Sequence, residues 1–110
     1  MDRLLTFIEL SPFNNRRNEH FTEESFTELQ AMLTSNPEFG DLMVGTGGCR
    51  KLRYQTRKRN VGKSGGIRVV YYYLSNKGKI YLIDIINKVN QENLTKEQSN
   101  QLNKITDLLD

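Results

Sequence analysis

The chain has 110 residues, of which 36% are apolar and 26% charged, and it carries a net charge of +3. That length suits one domain spanning residues 1–110, because division would leave two cores too small to be stable. No apolar run approaches a membrane span, and the opening MDRLLTFIEL lacks the long apolar stretch and small-residue cleavage site of a secretion signal. The single cysteine, Cys49, cannot form an internal disulfide, so a reducing, cytoplasmic setting is expected.

Leu4 to Leu10 reads as a first strand, closed by Ser11-Pro12. Asn14 to His20 is polar and fits either a loop or a short helix. A helix follows, with Thr22 as its N-cap, Glu23 and Glu24 at its positive end, and Phe26, Leu29 and Leu33 on one face. Asn36-Pro37 ends it, since the residue before proline avoids the helical region. Gly40 to Gly48 is rich in turn residues. Cys49 to Tyr54 alternates like a strand, Gln55 to Gly66 is a polar loop, and Ile67 to Leu74 is dense in β-branched and aromatic residues. Asn76-Lys77-Gly78 is a turn that pairs this strand with Lys79 to Ile86 as an antiparallel hairpin. Thr95-Lys96-Glu97-Gln98 matches a capping box and opens a last helix striped by Leu102, Ile105 and Leu109. Helices segregated from consecutive strands predict an α+β fold in the order β-α(-α)-β-β-β-α. Its antiparallel sheet would carry helices packed on one face and leave the other available.

The charge is unevenly placed. Ten of the sixteen basic residues, and none of the thirteen acidic ones, lie between Val44 and Ile83. Such segregation repels itself unless a polyanion relieves it, which points to a nucleic-acid partner; the plainer alternative is a solvated basic face. Gly62-Lys63-Ser64 looks like the tail of a nucleotide-binding loop. However, Arg57 stands where the first glycine of that motif belongs, and a strand rather than a helix follows, so the phosphate-loop reading is rejected.

Alternation places Leu52 toward the core and Lys51 and Arg53 on the opposite face, where Arg68 joins them if the strands pair in register. Three cations on an open face can stabilise a phosphodiester whose charge grows during reaction, or can simply touch phosphates for affinity. Tyr72 shares the face of Arg68 and can stack on a base, whereas Tyr71 and Tyr73 suit the core; packing alone is the alternative for all three. His20 stands alone and reads as a surface residue, as do Arg16 and Arg17. Asp84, in an apolar strand, is expected to pair with a nearby cation. Cys49 has no Cys or His at ligand spacing, so no zinc site and no cofactor are expected.

The stretch GTGGCRKLRYQTRKRNVGKSGGIRVVYYYL, from Gly45 to Leu74, resembles the core of RelE-superfamily toxins, nearest to the HigB type. The resemblance rests on Gly47-Gly48-x-Arg50-Lys51-x-Arg53, the basic glycine-containing loop, and Gly66-x-Arg68-Val69-Val70-Tyr71-Tyr72. The approach NPEFGDLMVGTGG is also similar, and the likeness runs from about Asn36 to the final helix.

The resemblance implies a metal-independent endoribonuclease that cuts messenger RNA on the ribosome by attack of a ribose 2′-OH on the adjacent phosphate. It also implies a cognate antitoxin, a HigA-like helix-turn-helix protein. By position, Lys51 corresponds to a base or charge stabiliser, Arg53 to a second cation, Arg68 to the arginine that stabilises the transition state, and Lys88 to a substrate contact. The remaining cations Arg50, Arg57, Lys58, Arg59 and Lys63, together with Tyr72, are expected to bind RNA. The family often carries an arginine or a Tyr-Gly-Lys-Asn-Glu run after the last strand. Here the tyrosine position holds Ile86 and the acid position Asn90, and a further family tyrosine falls at Thr95. The general acid is therefore unassigned, with Tyr72 and Tyr54 as substitutes. Two other functions share these features: a non-catalytic, ParE-like gyrase inhibitor and a plain nucleic-acid-binding module.

Overall fold

A computed structural model describes residues 5–55, 66–86 and 94–110. The elements are β1 (Thr6–Glu9), α1 (Ser11–His20), α2 (Glu23–Ser35), β2 (Asp41–Leu42), β3 (Cys49–Gln55), β4 (Gly66–Leu74), a 3₁₀ turn (Ser75–Lys77), β5 (Lys79–Ile86) and α3 (Lys96–Leu109). The five strands form one sheet in the order β1-β5-β4-β3-β2. The fold class is α+β, as the sequence predicts.

Local chemistry accounts for most boundaries. Thr22 and Ser25 exchange hydrogen bonds in a capping box at the start of α2, and Thr95 and Gln98 do the same for α3. Gly78 closes the β4–β5 connection with φ 64°, a left-handed conformation that glycine adopts without a side-chain penalty. The segment left open between loop and helix is α1. It has one apolar residue facing the core, Phe13, so no stripe announces it; proline in its first turn presets the backbone. Side chains then hold it down. Arg16 donates to the Asp84 carboxylate at 2.9 Å and to the Ile85 carbonyl at 3.2 Å. Arg17 sits 3.0 Å from Glu9 and 4.5 Å over the Phe26 ring. Neither arginine is the idle surface residue its sequence context implies, and Asp84 does pair with a cation. His20, at the end of α1, is buried rather than exposed, because the chain turns there into Phe21 and the aromatic core.

The sheet is mixed: β4 is antiparallel to both β3 and β5, but β1 runs parallel to β5. Both faces are used. Phe13, Phe21, Phe26, Leu29 and Leu33 from α1 and α2 pack on one face against Leu52, Tyr54, Ile67, Val69, Tyr71 and Leu82. On the other face, Leu102 and Leu109 of α3 pack against Cys49, Val70, Tyr72, Tyr81 and Ile83. The expectation of helices on one face alone therefore holds for α1 and α2 and not for α3. The reason is the row Cys49–Tyr72–Tyr81, which lies on the second face and is too apolar to leave in water. A bulge helps to build that row: Val70 pairs with Asp84 and Tyr71 with Leu82, so Ile83 is the extra residue.

Candidate functional site

The register of β3 against β4 sets the site. Arg53 lies directly opposite Arg68, and Lys51 lies opposite Val70, one pair further along the same face. Directly paired residues have Cβ atoms about 5 Å apart, and the diagonal from Lys51 to Arg68 is about 7–8 Å, within reach of long side chains converging on one group. Arg53 is exposed, while Lys51 and Arg68 are half-buried. The three cations lie on the face that α3 covers only in part, at the end of the sheet beyond the Cys49–Tyr72–Tyr81 row. The structure thus brings together three of the four residues assigned catalytic roles from sequence.

Two arginines directly opposed across a sheet destabilise it. Such a pair makes physical sense when an anion is to be held between them. The neighbouring positions are Asp41 on β2, opposite Lys51, and Ile86 on β5, opposite Arg68. Asp84 lies on β5 opposite Val70, and its Oδ1 accepts from Arg16 at 2.9 Å and from the Ile85 amide at 2.7 Å.

Several assignments change. Arg50 alternates onto the opposite face and donates to the carbonyls of Gly40 at 2.7 Å and Glu38 at 3.2 Å. It braces the chain entering β2 and is not grouped with the three cations. Tyr72 shares their face but is buried beneath α3, its ring 6.4 Å from that of Tyr81 and its hydroxyl donating to the Asp110 carboxylate. It offers no open ring to a base. Tyr54 is buried on the α2 face, where its hydroxyl bonds to Ser25 O and Glu28, so it cannot stand in as the proton donor. Tyr71 is core, as expected; its hydroxyl donates to Pro37 O and accepts from Gly40 N, both at 2.8 Å. Arg57, Lys58, Arg59, Lys63 and Lys88 lie outside the described residues. Among the described residues no His, Cys, Asp and Glu side chains gather in threes to hold a metal ion, and no helix is long and apolar enough to cross a membrane.

Sequence reasoning missed Asp41, because a two-residue edge strand has no readable alternation. Its only signal was its place in the approach to Gly47-Gly48.

The groups under α3 are structural. Burial pushes the Cys49 thiol up to about 11, against a smaller downward pull from its hydrogen bond with Thr46. Native protein at pH 8 is therefore expected to resist iodoacetamide, and to alkylate readily once denatured. Equal labelling of both states would contradict this placement.

Burial, the bond to Asp110 and the negative charge of Asp110 together push Tyr72 up to about 12. The folded value lies above the usual phenol value near 10, so the neutral phenol belongs to the fold. Its contribution is intact below about pH 10 and is lost as pH rises toward 12. Wild type is expected to lose more thermal stability than Tyr72→Phe between pH 9.5 and about 11.5, measured by circular dichroism. Parallel losses would refute the assignment.

No protein-family model matches the sequence. Solved structures do match the fold. The free-state structure of a mutant of the E. coli toxin RelE superposes with a TM-score of 0.57 at 14% identity, covering 79% of this chain and 84% of that one. A chain of the intact E. coli RelBE toxin–antitoxin complex superposes with a TM-score of 0.59 at 15% identity, over 79% of this chain and 100% of that one. The fold is RelE-like.

Proposed function

We propose that the protein is the toxin of a type II toxin–antitoxin pair, an endoribonuclease of the HigB type that cuts messenger RNA on the ribosome. The observation that carries this reading is the direct pairing of Arg53 with Arg68, with Lys51 one pair along, on one face of a RelE-like sheet. The reaction is attack of a ribose 2′-oxygen on the adjacent phosphorus. The P–O5′ bond breaks, the 2′-OH proton is lost to a base, and the leaving 5′-oxygen gains a proton. The products are a 2′,3′-cyclic phosphate and a 5′-hydroxyl. Negative charge accumulates on the phosphorane, and Arg53 and Arg68 stabilise it from two strands, with Lys51 as the base or as a third stabilising cation. No metal is needed where the chain's own cations supply that charge. Lys88 and the basic loop of Arg57, Lys58, Arg59 and Lys63 extend the contact along RNA.

The partner is a cognate antitoxin, a HigA-like helix-turn-helix protein, and the setting is the cytoplasm. A toxin–antitoxin complex is what the matched E. coli structure holds, which supports an antitoxin as partner; the HigA-like type rests on the sequence resemblance.

Mapping RNA 5′ ends after inducing the protein without its antitoxin tests the reading. Recurrent cuts inside reading frames are expected. DNA breaks without RNA cuts would mark a gyrase poison instead, a reading favoured by Ile86 at the family's tyrosine position. Neither would leave only a binding module, with salt-sensitive affinity.

A further inference from the structure

A groove of about 460 Å³ opens beside the three-cation site, between the β2–β3 connection and the start of α3. Leu42, Met43, Val44 and Leu94 supply its apolar walls, and Lys51 lines it as well. Lys96 and Ser99, on the first turns of α3, add polar groups. Lys51 therefore belongs both to this groove and to the proposed phosphate site. We infer that the groove is a nucleobase subsite: it takes the base of a nucleotide flanking the phosphate held by Lys51, Arg53 and Arg68, and so sets which sequences are cut. The inference rests on the RNA-cleaving function proposed above.

Three observations support it. First, two of the four apolar residues are held out of the core, Val44 at 93% exposed and Leu42 at 61%, while Met43 between them packs against it. They form one wall of a groove rather than isolated surface positions, which would mean nothing. Second, the wall is built rigidly. Thr46 Oγ1 donates to the Met43 carbonyl at 2.7 Å and accepts from the Cys49 amide at 3.0 Å, while the Met43 amide donates to the Cys49 carbonyl at 2.9 Å. Thr106 of α3 then donates to the Thr46 carbonyl at 3.1 Å, tying the wall to the helix. A preformed surface loses less freedom when it binds.

Third, the chemistry matches a base better than a peptide. A base has apolar faces and a rim of mixed donors and acceptors; the groove has apolar walls with a donor at Lys96 and a hydroxyl that can donate or accept at Ser99. Its volume falls in the range of small-ligand sites and admits a nucleoside. Both lysines in its lining favour a polyanion.

The test compares cut-site sequences by 5′-end mapping for wild type, Val44→Asp, Lys96→Gln and Arg68→Ala. Val44 and Lys96 are exposed, so their variants are expected to fold. In the wild type, one position flanking the cut should show a base preference. In Val44→Asp and Lys96→Gln that preference should flatten by about fivefold while cutting continues at other sequences. Unchanged cut-site sequences in both variants would overturn the subsite and leave the nuclease intact. Unchanged cutting combined with loss of neutralisation by the antitoxin would also overturn it, and assign the groove to a protein partner. Absence of cutting by the wild type would overturn both the subsite and the function it rests on.

Discussion

Arg68→Ala is expected to lower RNA cleavage by about a hundredfold or more while leaving the thermal midpoint nearly unchanged. A well-aimed donor to a developing oxyanion contributes about 3 kcal/mol, which corresponds to that loss. The stability half of the expectation follows from the register. Arg68 is directly opposite Arg53 on the same face, and like charges so placed destabilise a sheet by about 0.2–1 kcal/mol. Removing one relieves that repulsion and offsets the contacts of the half-buried side chain. A residue kept for the fold would behave in the opposite way, costing stability first and activity only as a consequence. Growth after induction without antitoxin reads the activity, and circular dichroism reads the midpoint. Full toxicity in Arg68→Ala would end the nuclease assignment.

Gly47→Ala should produce a large loss of stability. Gly47 has φ +80°, and a Cβ there would lie 2.6 Å from Asn103 Oδ1 and against Thr106 Oγ1, both on α3. The left-handed backbone costs a non-glycine residue about 1–2 kcal/mol, and overpacking adds about 1–3 kcal/mol. Thr106 is fully buried and tied to the Thr46 carbonyl at 3.1 Å, so it cannot swing away without breaking the junction of helix and loop. The expected total, about 2–5 kcal/mol, should lower the midpoint by ten degrees or more, roughly. It should also expose Cys49 to alkylation. Gly45→Ala is the control: its φ of +78° is similar, but the nearest atom to a new Cβ is 3.7 Å away, so only the backbone cost applies. Equal effects at the two glycines would show that α3 does not press on Gly47.

Much of this could be read from the sequence, for identifiable reasons. Period-two alternation around Leu52 put Lys51 and Arg53 on one face, and glycine-flanked Arg68 followed once the strands paired. The Thr22 cap and the Thr95–Gln98 capping box were legible because a cap is a local bargain between residues three apart; the reciprocal bond from Ser25 to Thr22 was not, since serine stands where the box pattern has Glu or Gln. What escaped depended on distant partners. Segment Ser11–His20 folds as a helix through Arg16 and Arg17, whose partners Asp84 and Glu9 no local pattern reveals. Tyr72 was placed on the correct face, but whether that face is open at Tyr72 is decided by where α3 lands. Arg50 was grouped with its neighbours by charge, whereas alternation alone would have set it apart. Asp41 and the Val44 wall lie in a stretch shaped by turns, where neither helical nor strand periodicity operates.

The most direct test of the central claim is a double-mutant comparison of Arg53→Ala, Arg68→Ala and the combined variant, by cleavage rate at a single mapped site. Groups that hold one phosphate as a unit lose their effect together, so the combined variant should be little worse than the worse single one. Losses that simply multiply, or an Arg53→Ala variant as active as wild type, would mean that the two arginines do not share a phosphate.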